Sequence, residues 1–362
     1  MMIPRFSHFS RTKHAHLPLA LLLACGCLLL AACGAAWLPL PTQTSPASQA
    51  AAAPTATALP EAATSEAEPP AQAGVITEAA PATTDASPPT QTQPATAPTR
   101  RTPPEPDAWK ELPVIPALSD TARQVYLSGL EAGRDPHAFS KVGDCQSITT
   151  YFLARFDMPG YYQLGDQAHL QETIDWFAGS FGRESLAVKG GLNAASMLSP
   201  LRADPDSCQA GESPLACELR VNNPSLAIIS LEEWWADDPT KYERYMRQII
   251  DYTLSQDILP ILATKADNLE GNHLINQTIA LLAWEYDLPL WNFWLAVQPL
   301  PNHGLVQKTA DGQADLFHLT HSSNFYNYTD LQALQSGWAM RNLTALQVLD
   351  ALRRALNEPP TP

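Results

Sequence analysis

Leu226-Ala227-Ile228-Ile229-Ser230-Leu231 is a nearly continuous apolar run, preceded by Pro224 and followed by an acidic cluster. A strand buried on both faces reads this way, whereas a strand with one wet face alternates. A second such run occupies 258–263, and between the two lies 242–255, where Tyr245, Met246, Ile249, Ile250 and Leu254 share one helical face. Working outward, short strands are expected at 186–188 and 288–293, and helical stretches at 121–133, 148–156, 171–181, 276–286 and 329–356, with Asn342-Leu343-Thr344 opening the last helical segment. Residues 134–140 read as a loop. Strands of about five residues alternating with helices mean βα units. The expected class is α/β, a three-layer α/β/α sandwich on a mostly parallel sheet, with ligands bound at the carboxyl ends of the strands. Segments 143–147, 190–193, 232–235, 264–268 and 315–318 all fall at such ends.

The 362 residues are unevenly composed. Residues 1–33 begin with Arg5, Arg11 and Lys13, continue through the apolar stretch 17–30 and end in Leu30-Ala31-Ala32-Cys33 before Gly34. That order is an export signal, and its end resembles the bacterial lipoprotein cleavage box, which implies a lipid on Cys33 and a membrane-held protein facing the extracytoplasmic side. An uncleaved signal anchor is the alternative, although the apolar stretch is short of the ~20 residues a spanning helix needs. Residues 34–105 are dominated by Ala, Pro, Thr and Ser, too poor in apolar side chains to offset the entropy of ordering, and read as a disordered stalk. Residues 106–362 are the globular candidate. A net charge of −15 and the lack of any Lys/Arg run in this part argue against nucleic acid as a partner. Of the six cysteines, Cys208 and Cys217 flank a short loop and are expected to pair outside the cytoplasm, which leaves Cys145 alone. No His-x-x-x-His or similar spacing is present, so no metal and no cofactor is expected.

The stretch Lys141-Val142-Gly143-Asp144-Cys145-Gln146-Ser147 suits a sharp turn after a strand, where a side chain can be presented to a ligand. Gly-Asp-Cys is one atom type from Gly-Asp-Ser, and Asp315-Leu316-Phe317-His318 places a carboxylate and an imidazole three residues apart near the C-terminus. Together these blocks resemble the first and last blocks of the SGNH (GDSL-type) hydrolases, and the resemblance extends over 139–349, including 258–265 and 287–292. It implies a flavodoxin-like five-stranded sheet, Cys145 as nucleophile, His318 as base, Asp315 as the group orienting it, and the N–H groups of Cys145 and Gly191 as oxyanion donors. Asp144 is expected to brace the turn. Candidates for contact with ligand are Asp144, Ser147, Asn193, Glu232 and Trp234; Asn193 serves equally well as a helix cap.

Two departures bear on activity. The motif Ser is Cys145, and the third block, Gly-x-Asn-Asp in the family, reads Glu232-Glu233-Trp234-Trp235. An ionised Glu is an acceptor only and cannot replace the Asn donor. Three readings of Cys145 stay open: a thiolate nucleophile, a bystander to Ser147, or a small residue in an inactive site. The function expected is an envelope-anchored hydrolase of small-molecule or glycan esters acting by covalent acyl transfer. The alternative is a catalytically impaired relative that binds a glycan or other extracellular ligand. Trp234, Trp235, Trp291 and Trp294 read as either a sugar-stacking wall or core, and His303 and His321 as pocket lining or surface.

Overall fold

A computed structural model of the protein describes residues 102–231, 239–309 and 311–357. The expected signal segment, most of the stalk, Cys33, Glu232, Trp234 and Trp235 lie outside these residues. The helices are α1 (Asp120–Glu131), α2 (Gln171–Trp176), α3 (Ala194–Met197), α4 (Pro214–Asn222), α5 (Pro239–Ser255), α6 (Leu274–Tyr286), α7 (Phe293–Val297) and α8 (Gly337–Asn357). The strands are β1 (Asp135–Gly143), β2 (Pro224–Ser230), β3 (Leu259–Ala263) and β4 (Leu290–Trp291). They form one parallel sheet in the order β1-β2-β3-β4, with Val142 opposite Ile229 and Ile228 opposite Ile261. Every residue of β2 and β3 is buried, which is why both read as nearly continuous apolar runs. Helices α1, α4, α5 and α6 pack on the strands, so the fold is α/β with a helix-flanked parallel sheet.

The sheet has four strands where five were expected. Residues 186–188 make only an isolated bridge, Val188 beside Gly143, with the Gly143 N–H donating to Ala187 O at 2.9 Å. The ladder donors of this segment are diverted: Leu186 N–H goes to the Glu218 carboxylate at 2.8 Å and Ala187 N–H to Ser185 Oγ at 3.0 Å. The expected loop at 134–140 is instead the body of β1. Its polar residues hid it, yet Lys141 is buried, with Nζ donating to Phe181 O at 2.8 Å.

Residues 148–156 do not form one α-helix: 149–153 are turn and bend, and a short 3-10 helix, Ala154–Asp157, begins only after them. Leu153 stands at φ 64°, and its N–H leaves the chain's own carbonyls for Asn342 Oδ1 at 2.6 Å. Asn342 does not open a helix either; it lies inside α8, buried, and ties it to that turn. The helix expected over 171–181 ends at Trp176, and the strand expected over 288–293 is confined to β4 because Asn292 caps α7, its side chain accepting from Leu295 N–H. In β3, Pro260 sits opposite Ala227. Leu262 N–H donates to Pro289 O on the β4 side, so the donor that Pro260 lacks, two residues earlier, also faces that side.

Glu218 of α4 anchors β1 from below. Fully buried, it accepts from Ser140 Oγ at 2.6 Å, Arg183 Nη1 at 2.7 Å, Leu186 N and Asn222 Nδ2 at 2.9 Å. Removing one member of such a network strands the others, typically for about 3–5 kcal/mol. Glu218→Ala is expected to lower unfolding free energy by about 3 kcal/mol in urea titration; a loss under about 1 kcal/mol would mean that the network is not what holds 183–188 against β1.

Candidate functional site

Gly143, the last residue of β1, admits no side chain. A Cβ at that position would lie 2.3 Å from Ser147 Oγ and 2.6 Å from Ser230 O. The chain then turns through Asp144 into a single 3-10 turn, Cys145–Ser147. Asp144, almost fully buried, accepts the Gln146 N–H on Oδ1 at 2.9 Å and so braces the turn. Ser147 is buried back against Gly143, facing the strand end rather than solvent. Cys145, half-buried at the head of the turn, is in no disulfide. The turn is too short to supply the dipole of a full α-helix.

Gly190 runs beside Cys145: a Cβ on it would come within 3.9 Å of Cys145 Cβ. Gly191 has φ 81°, which favours glycine, and its N–H donates to no acceptor among the described residues. Asn193 forms a capping box at the head of α3, its Oδ1 accepting Ser196 N–H at 2.8 Å and its own N–H donating to Ser196 Oγ at 2.7 Å. That oxygen is therefore engaged in the cap.

Asp315 and His318 lie on one tight turn. Asp315 Oδ1 accepts from the backbone N–H groups of Phe317 at 3.2 Å and His318 at 3.0 Å, and His318 Nδ1 lies 3.1 and 3.0 Å from its two carboxylate oxygens. Burial pushes the Asp315 pKa up, but these N–H donors and the imidazole outweigh it and hold the carboxyl below its ordinary value. Facing an ionised carboxylate, Nδ1 is the ring's donor, which leaves Nε2 as the lone-pair nitrogen on a largely exposed ring. The two halves of the site are fastened together by Gln146, whose Nε2 donates to Phe317 O at 2.8 Å.

An acetyl xylan esterase superposes with a TM-score of 0.33 at 14% identity, over 58% of this chain and 97% of its own. A protein assigned to the G-D-S-L lipolytic family from Desulfitobacterium hafniense gives 0.33 at 15%, over 59% and 99%. A GDSL-like lipase from Bacteroides thetaiotaomicron gives 0.34 at 14%, over 64% and 98%. No protein-family model and no curated protein matches the chain. Two of the three structures bear the name of the family that the sequence blocks resemble, but TM-scores this low carry no statement about the chemistry of this chain.

Other expectations resolve individually. Cys208 and Cys217 are disulfide-bonded. The one cluster of His, Cys, Asp or Glu atoms close enough to surround an ion, among the described residues, is Cys208, Glu212 and Cys217, whose sulfurs are spent in that bond. Trp291 is no sugar-stacking wall: it is fully buried, donates Nε1 to Thr344 Oγ1 at 3.1 Å and stacks on Phe152. Trp294 packs edge-on to Trp109 and His273. His303 lines a shallow groove of about 390 Å³ with Asn268, Asn302, Gln307 and Leu316. His321 is exposed.

Two residues passed over in the sequence hold the site together. Arg341, with no exposed surface, donates Nε to Gln146 O at 2.9 Å and Nη2 to Ser230 Oγ at 2.7 Å. It falls in the stripe Arg341, Ala345, Val348, Leu352, all buried at helical spacing, and a charge in such a stripe was the available signal. Gln146 carried no signal beyond adjacency to Cys145.

The lowered Asp315 pKa fixes a sign. A carboxyl depressed by folding stabilises the native state above its unfolded pKa, and that contribution is lost as pH falls through the lower native value. Asp315→Asn is expected to be less stable than wild type at neutral pH, and the gap between them should close below the ordinary Asp value of 3.8. Parallel stability profiles from neutral to acid pH would contradict the described hold on the carboxylate.

Proposed function

We propose that this protein is an envelope-anchored hydrolase that cleaves small-molecule or glycan esters through a covalent acyl intermediate on Cys145. What carries the reading is the assembly of the Cys145 turn and the Asp315 and His318 turn at the carboxyl ends of the parallel strands, joined by the Gln146 contact. His318 Nε2 takes the thiol proton as Sγ attacks the ester carbonyl, and Asp315 stabilises the imidazolium. The N–H groups of Cys145 and Gly191 face the oxyanion. Collapse of the tetrahedral adduct breaks the C–O bond, and His318 returns the proton to the departing alcohol. Water, deprotonated by the same nitrogen, then attacks the thioester, releasing the acid and restoring the thiol.

Residues 1–33 serve as a lipoprotein signal with lipid on Cys33, and 34–105 as a stalk holding the 106–362 domain at the extracytoplasmic membrane face. The order of basic, apolar and small residues supports this placement. The competing reading, an impaired protein that binds a glycan or other extracellular ligand in the same cleft, draws on the Cys in place of Ser and on Glu232 in the third block.

Hydrolysis of p-nitrophenyl acetate by the detergent-solubilised full chain separates the two. Cys145→Ala and His318→Ala are expected to cut turnover by at least about 100-fold, and Cys145→Ser to retain part of it. A wild type that turns over no short-chain ester, and a Ser variant that gains none, would leave the binding reading standing.

A further inference from the structure

Gln146 is almost wholly buried, and three of its polar groups are assigned. Its N–H donates to Asp144 Oδ1 at 2.9 Å, its carbonyl accepts from Arg341 Nε at 2.9 Å, and its Nε2 donates to Phe317 O at 2.8 Å. Its Oε1 is buried without a hydrogen-bond partner. Rotating the amide by half a turn would set Oε1 against the Phe317 carbonyl, acceptor on acceptor, so the Phe317 contact fixes the orientation. A buried acceptor left unsatisfied keeps its full desolvation penalty. A methionine of similar volume would avoid that cost, so what the amide adds at this position is its single N–H tie.

The tie joins the two chain neighbours of the reacting pair. Cys145 immediately precedes Gln146, and His318 immediately follows Phe317. From behind, Arg341 holds the Gln146 carbonyl while its guanidinium rests against the rings of Phe152, Trp291 and Phe293 at 5.0, 5.2 and 5.0 Å. The turn is thus pinned at the front to the histidine loop and at the back to α8. We propose that Gln146 is a positioning residue that sets Cys145 against His318, with Arg341 as its rigid backing. The proposal rests on the reading of Cys145 and His318 as a nucleophile and its base.

The test needs no substrate. Carbamidomethylation of Cys145 by iodoacetamide, read by mass spectrometry of its peptide, reports how well His318 draws off the thiol proton. It is measured at fixed neutral pH on the detergent-solubilised full chain in wild type, Gln146→Met, His318→Ala and the double variant. Each single change is expected to slow alkylation by about fivefold or more. The double variant is expected to stay within about twofold of His318→Ala, because a residue acting through His318 has nothing left to act on.

Gln146→Asn, too short to reach Phe317 O but keeping every backbone contact, is expected to match Gln146→Met and guards against misfolding of the latter. Alkylation at the wild-type rate in a folded Gln146 variant, or slowing that multiplies with that of His318→Ala, overturns the proposal. With ester substrates the same variants are expected to lower kcat with KM held within about twofold. A wild type whose thiol depends on His318 and Gln146 in this way but which cleaves no ester supports the positioning role and removes the hydrolase reading.

Discussion

A guanidinium sealed from water, that of Arg341, is the contact on which the site depends. Burying a charge carries a desolvation penalty that is offset only where its donors are taken up and its faces are covered. Here α8 carries the charge into the middle of the fold, where two of its nitrogens, Nε and Nη2, grip the Cys145 turn after β1 and the hydroxyl at the end of β2, between rings contributed by the 148–153 turn, β4 and α7. Asn342, the next residue, repeats the pattern on neighbouring turns, taking Leu153 N–H and Tyr326 OH on its side-chain oxygen. The C-terminal helix thus fixes loops that the strands alone would leave without a common reference.

A second polar network does the corresponding work on the other flank of β1. Glu218, Arg183 and Ser140 bind the 183–188 segment to the strand so closely that Leu186 N–H serves a carboxylate, and Ala187 and Val188 N–H serve Ser185, instead of a sheet ladder. The segment gives up regular pairing and gains a fixed path past Gly143, which delivers Gly190 to the side of Cys145. Loss of a strand and placement of Gly190 are one event with one cause.

What could be read in the sequence follows from this division. Strands β2 and β3 were plain because burial on both faces favours apolar side chains at nearly every position, Ser225 and Ser230 being the buried polar exceptions. The pairing of Asp315 with His318 was plain because three residues suffice to close it locally. β1 was missed because its polar residues are satisfied by groups distant in the chain: Lys141 by Phe181 O, Ser140 by Glu218. The helix expected over 148–156 failed for the same reason, since Leu153 N–H is claimed by Asn342, 189 residues away. Propensity and periodicity see only near neighbours, and the connections that shape this site span most of the domain.

Pro260 has a further consequence at the far side of the sheet. The donor it lacks faces the side on which β4 pairs only from Leu262 onward, so the ladder cannot be prolonged backward along β3. Among the described residues β4 is held to two residues, so on that side the sheet ends in a short edge, unlike the nine-residue β1 on the other. A parallel sheet rich in Ile and Leu is prone to recruit strands while it folds. In this protein a single imino acid inside β3 removes one donor from that ladder on the β4 side.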